Sequence, residues 1–137
     1  MATILLIEDA PDIRQVVELI LRSAGHTVLS APDGASGVAM VEQHLPDLVV
    51  MDLALPQLDG WEATRRLKAN PVTQPIPVLA CAAHVLPDEI DQALAAGCGA
   101  VIPKPFDLTT FLDEVDRLLR QRPPGPRERS VGIGPEA

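Results

Sequence analysis

The chain has 137 residues, 47% of them hydrophobic, with Trp61, Phe106 and Phe111 as its aromatics; that suits one compact domain with a core of Leu, Ile, Val and Ala. Eleven basic against nineteen acidic residues leave a net charge of −8, which lacks the basic footprint that nucleic-acid binding needs. No apolar run approaches the roughly 20 residues that span a bilayer, and the N-terminus enters a strand-like pattern without the regions of a signal peptide. Cys81 and Cys98 lie in apolar surroundings and read as buried free thiols in a reducing cytoplasm.

In chain order, Thr3-Ile4-Leu5-Leu6-Ile7 is a continuous apolar run, the pattern of a strand covered on both faces. Ile13, Val16, Val17, Ile20 and Leu21 then form one apolar helical stripe, which Gly25 stops. Thr27-Val28-Leu29 predicts a short second strand, and Val38, Val41 and Leu45 a second helix that ends before Pro46. Leu48-Val49-Val50-Met51 is the third strand, followed by a helix over about residues 59–69 that closes near Asn70-Pro71. Val78-Leu79-Ala80-Cys81 is the fourth strand. Pro87 with Asp88 and Glu89 marks a helix start, and that helix carries Leu94 and ends at Gly97. Ala100-Val101-Ile102 is the fifth strand. Asp107 is the expected N-cap of a final helix bearing Leu108, Phe111, Leu112, Val115, Leu118 and Leu119. Residues 123–137 hold four Pro and three Gly and are expected to be a disordered tail; the ordered domain is expected to span residues 1–122. Five β-α units imply a three-layer α/β sandwich with a parallel sheet and helices on both faces. Periodicity leaves the strand order open.

Ligands of an open α/β sheet bind beyond the carboxyl ends of its strands. Glu8 and Asp9 follow the first apolar run, Asp52 the third and Lys104 the fifth. A lone acid there is ordinarily a loop charge; three carboxylates and one ammonium at one rim are a site. Two carboxylates about 4 Å apart repel by roughly 4 kcal/mol at an effective dielectric of about 20, so either one stays protonated or a cation sits among them. Oxygen ligands suit Mg²⁺ or Mn²⁺. His26, His44 and His84 are scattered, which argues against tetrahedral zinc. A divalent ion and an ammonium neutralise phosphoryl oxygens while a carboxylate attacks in line, giving an acyl phosphate on Asp.

Ile7-Glu8-Asp9, Asp52 with Pro56 at +4 and Gly60 at +8, and Lys104-Pro105-Phe106 together resemble the receiver domain of two-component response regulators, over about residues 3–121. The resemblance implies a flavodoxin-like, CheY-like sheet in the order 2-1-3-4-5. It makes Asp52 the phosphoacceptor, charged by a sensor histidine kinase or a histidine phosphotransfer protein. It assigns Glu8, Asp9, Asp52 and the backbone carbonyl of Ala54 to Mg²⁺, Lys104 to the phosphoryl group, and a cis bond to Lys104–Pro105. Output is expected by docking to a downstream target protein or by onward phosphotransfer, from a monomer or weak homodimer, without membrane or nucleic-acid contact.

Two positions depart from the family. Ala82 stands where the family usually has Thr or Ser, and Val101 where it usually has Tyr or Phe. Both halves of the usual switch are therefore missing. Small Ala54 and Ala83 leave an acyl phosphate open to water or to a second acceptor, which suits a phosphotransfer intermediate; His84 is expected to border that site. The alternative is a degenerate receiver that serves as an unphosphorylated docking scaffold. An Asp-nucleophile phosphatase is disfavoured, because the general acid it wants two residues after Asp52 is Ala54. A dinucleotide-binding turn is disfavoured because Glu8 and Asp9 would repel pyrophosphate. Arg65, Arg66 and Lys68 are expected to form a solvated face, and Trp61 to pack near the active edge.

Overall fold

The computed structural model describes residues 2–52, 60–82, 87–103 and 107–121. Strands and helices alternate: β1 (Thr3–Ile7), α1 (Pro11–Ser23), β2 (Thr27–Ala31), α2 (Gly34–His44), β3 (Leu48–Asp52), α3 (Gly60–Ala69), β4 (Val78–Ala82), α4 (Pro87–Ala96), β5 (Ala100–Pro103) and α5 (Leu108–Gln121). The strands form one parallel sheet in the order β2-β1-β3-β4-β5. Every β-α unit expected from the apolar runs is present.

Continuous apolar strands form because each strand side chain meets a helix layer. Alternate residues point to opposite faces. Leu5, Ile7, Val49 and Met51 pack with Val38 and Val41 of α2 and with Ala63 and Leu67 of α3. Ile4, Leu6, Leu48 and Val50 pack with Val17 and Leu21 of α1 and with Phe111, Val115 and Leu118 of α5. All five residues of β3 are buried, as the central strand requires. Gly37 lets α2 approach the sheet: a Cβ there would stand 2.4 Å from Ile7 Cδ1.

Helix ends follow the local signals. Asp33 caps α2 by accepting from Ser36 N at 2.8 Å, and Asp107 caps α5 by accepting from Thr110 N at 2.9 Å. Both carboxyls are held below the usual carboxylate range, chiefly by these backbone hydrogen bonds.

Three side-chain expectations change. In α1, Val17 and Leu21 are buried while Ile13 (42% exposed) and Val16 (57%) are not; the apolar stripe is wider than the strip the sheet covers. Leu45 is not on the buried side of α2 but is its left-handed C-cap at φ 49°. Lys68 is not part of a solvated face. Its Nζ donates to the carbonyls of Gln74 at 2.9 Å and Ile76 at 2.7 Å, tying α3 to the chain that enters β4. Burial holds the Lys68 ammonium below its ordinary pKa. Arg65 and Arg66 do stand at the surface, beside Glu62.

Cys81 and Cys98 are buried, and neither is in a disulfide. Burial pushes the Cys98 thiol up, partly offset by its contact with Thr64 Oγ1 at 3.8 Å, so this sulfur packs and is not an activated nucleophile. Among the described residues no helix is long and apolar enough to cross a membrane.

Candidate functional site

The parallel sheet places the ends of β1 and β3 side by side. Ile7 pairs with Met51, so Glu8 and Asp52, one residue further along each strand, are neighbours. By alternation both continue the face of Leu6 and Val50, and one cavity is lined by Leu6, Glu8, Ile13, Val17, Val50, Asp52 and Cys81. Glu8 is 4% exposed and Asp52 8%. Asp9, the next residue, is exposed. One carboxylate oxygen from each of Glu8, Asp9 and Asp52 lies within 4.8 Å of the other two.

The fold brings these three sequence-selected acids together. Lys104, the carbonyl of Ala54, Ala83, His84 and the Lys104–Pro105 bond lie outside the described residues, as does the tail over 123–137. Ala82 closes β4 opposite Pro103 of β5. Val101 is half-buried and packs against the core on the α2 and α3 face. Trp61, the second residue of α3, packs half-buried against the same core.

The turn that carries Glu8 and Asp9 is held from three sides. Glu8 N donates to Ala31 O at 3.1 Å, which extends the β1–β2 pairing. Glu8 Oε2 accepts from Ala10 N at 3.2 Å. Glu8 O accepts from Arg14 Nη1 at 2.9 Å. No motif marks Arg14. The one available signal is a cation in the first turns of α1, where the helix dipole disfavours positive charge.

A divalent cation fits this donor set. The donors are carboxylate oxygens, as a hard ion requires, and opposite corners of a Mg²⁺ octahedron with bonds of about 2.0–2.1 Å stand roughly 4.2 Å apart. The three oxygens, each within 4.8 Å of the other two, are grouped closely enough to share one ion and its bound waters. The same set is unsuited to zinc, which prefers nitrogen and sulfur ligands.

Residues 4–116 match the response regulator receiver domain family. The chain is 36% identical to PilH of Pseudomonas aeruginosa over 121 residues, covering 87% of this chain and 98% of that protein. It is 38% identical to the DNA-binding dual master transcriptional regulator RpaA of Synechocystis over 121 residues, which is 88% of this chain; it spans only 50% of that regulator's length. Among solved structures, the receiver domain of a sensor histidine kinase of Pseudomonas aeruginosa superposes with a TM-score of 0.82 at 33% identity, covering 88% of this chain and 98% of that one. That structure has a magnesium ion coordinated in its active-site cleft. The chemotaxis response regulator CheY4 of Vibrio cholerae superposes with a TM-score of 0.81 at 27% identity, covering 86% and 98%. With its fold, its acidic rim and the matched span agreeing, the chain belongs to the receiver domain family of two-component response regulators.

Proposed function

We propose that this receiver takes a phosphoryl group onto Asp52 from a phosphohistidine of a sensor kinase or phosphotransfer protein, in a reaction that depends on Mg²⁺ or Mn²⁺. The observation that carries the proposal is the convergence of Glu8, Asp9 and Asp52 within 4.8 Å at the carboxyl edge of the sheet. Glu8, Asp9 and Asp52, with the backbone carbonyl of Ala54, hold the ion, whose charge offsets that of the phosphoryl oxygens. Asp52 supplies the nucleophile: a carboxylate oxygen bonds to phosphorus as the phosphorus–nitrogen bond of the donor breaks, and the leaving imidazole nitrogen takes that electron pair and a proton from solvent. Lys104 pairs with the transferred group. Glu8 and the end of β3 exclude water beneath the acceptor, because both carboxylates are largely buried.

The uncovered side of α1 supports a donor docking at this rim. Ile13 lines the cavity of Glu8 and Asp52, and Ile13, Val16 and Leu19 are exposed along one side of the helix. The charged receiver then signals by docking to a partner or by passing the phosphoryl group onward.

Incubation with acetyl phosphate and MgCl₂, read by intact mass, is expected to add one phosphoryl group. Chelation of the metal or Asp52→Asn is expected to remove the gain. No gain in the unaltered protein would favour the unphosphorylated docking scaffold.

Ala82 and Val101 point to a muted conformational response. Ala82 has no hydroxyl to bind a phosphoryl oxygen, and one hydrogen bond to a charged group is worth about 1.5–3 kcal/mol. Val101 already packs against the core, and a β-branched side chain has little rotamer freedom with which to relocate. Amide shifts on adding beryllofluoride and Mg²⁺ are expected to stay small over residues 84–115 beyond the immediate rim. Large shifts across that whole span would contradict a muted switch.

A further inference from the structure

We infer that Arg14 is a positioning residue for the acidic rim. Its guanidinium fixes the turn that carries Glu8 and Asp9, so that their carboxylates stay where Asp52 can share a cation with them. This rests on the Mg²⁺ reading above.

Asp52 and Glu8 are set by neighbouring strands in register, but Asp9 stands on the turn between β1 and α1. That turn is the adjustable part of the site. The carbonyl of Glu8 and the N–H of Asp9 belong to one planar peptide unit. A donor that fixes the direction of the Glu8 carbonyl therefore also fixes the backbone from which the Asp9 side chain springs. Arg14 Nη1 is that donor, at 2.9 Å and partly buried. The other two holds on the turn, Glu8 N to Ala31 O at 3.1 Å and Ala10 N to Glu8 Oε2 at 3.2 Å, leave the carbonyl untouched.

The placement of Arg14 is otherwise unfavourable. Positive charge in the first turns of a helix opposes the dipole, and a cation beside a metal site opposes the metal. Two effects thus compete on Mg²⁺ affinity. The guanidinium charge repels the ion through a partly solvated path where screening is strong. Its hydrogen bond decides whether two ligands or three face the ion. The geometry favours the second, as when groups behind a metal's ligands hold them in orientation.

The test is calorimetric titration of MgCl₂ into the full chain and into Arg14→Met and Arg14→Lys, at fixed ionic strength, with metal-free thermal melts of each. Arg14→Met, which keeps the stem and loses the donor, is expected to bind about tenfold more weakly, and Arg14→Lys, which keeps a charged donor, to recover to within about threefold of the unaltered protein. If Arg14→Met fails to melt cooperatively, Arg14→Ala is titrated against the same Lys variant. A Met or Ala variant that binds Mg²⁺ as tightly as the unaltered protein, or more tightly, overturns the inference, since Arg14 then acts as a repelling charge or not at all. Equal loss in the Lys and Met variants also overturns it. If the unaltered chain binds no Mg²⁺, the reading of the site itself fails and the inference falls with it.

Discussion

Asp52→Asn is expected to make the metal-free protein more stable, by about 1–3 kcal/mol, while removing the stabilisation that Mg²⁺ confers. The carboxylate oxygens of Glu8, Asp9 and Asp52 lie within 4.8 Å of one another. At that separation a pair of like charges repels by about 0.9 kcal/mol in a water-like dielectric and about 3.5 kcal/mol at an effective dielectric of 20. Glu8 and Asp52 are buried, so their pair belongs nearer the upper figure; Asp9 is exposed and is better screened. Asn keeps nearly the shape of Asp and removes the charge. With Mg²⁺ at about a hundred times its dissociation constant, the unaltered protein is expected to gain about 2.7 kcal/mol. The variant has lost both a ligand and the repulsion that the ion relieves, so its denaturation curve is expected to be nearly blind to MgCl₂. Urea denaturation of both proteins, with and without the metal, measures all four states. A metal-free Asp52→Asn protein less stable than the unaltered one would show that the cluster is held by favourable contacts and stores no repulsion.

Phe111→Ala is expected to be the most damaging single truncation outside the rim, costing about 3–5 kcal/mol. Phe111 is fully buried and sits in α5 among Leu6, Val17, Leu21, Val50, Leu79, Cys81, Ile102 and Val115. It joins α5 to the layer that α1 occupies. The cost combines the lost transfer free energy of the ring with the cavity it leaves among close-packed neighbours. Domains of this size are stable by about 5–15 kcal/mol, and the loss corresponds to a fall of roughly 10–20 °C in melting temperature. Leu6, Val17, Val50 and Cys81 of this cluster also line the cavity under Glu8 and Asp52, so the support of the rim softens with it. A melting temperature within a few degrees of the unaltered value would mean that α5 collapses onto the sheet and that the packing here is not specific.

Much of this was legible before any coordinates. Thr3–Ile7 and Leu48–Asp52 reveal themselves as strands because residues covered on both faces are apolar without alternation, and both are strands. Asp107 announces the start of α5 because a carboxylate there satisfies the first free N–H groups, and it accepts from Thr110 N. Glu8, Asp9 and Asp52 stand out because charges directly after apolar runs have no packing reason to be there.

What the chain could not disclose is which elements meet. The α1 stripe predicts an apolar side, but how much of it is covered depends on the width of the sheet beneath, and Ile13 and Val16 lie beyond it. Lys68 reads as one of three surface cations until α3 is seen beside the carbonyls of Gln74 and Ile76. Arg14 has no signature until the turn at Glu8 folds back over it.

By itself the sequence determined the class of the fold, the order of its elements and which three acids follow the apolar runs of β1 and β3. Each of these follows from local rules: the period of apolar residues, the chemistry of caps, and the position of charges after strands. Apolar periodicity left open whether Glu8 and Asp52 are neighbours; the resemblance implied it through the order 2-1-3-4-5, and the tertiary structure decided it, because it depends on β1 lying next to β3. Periodicity reports which side of an element is apolar; it carries no information on which element comes to cover that side.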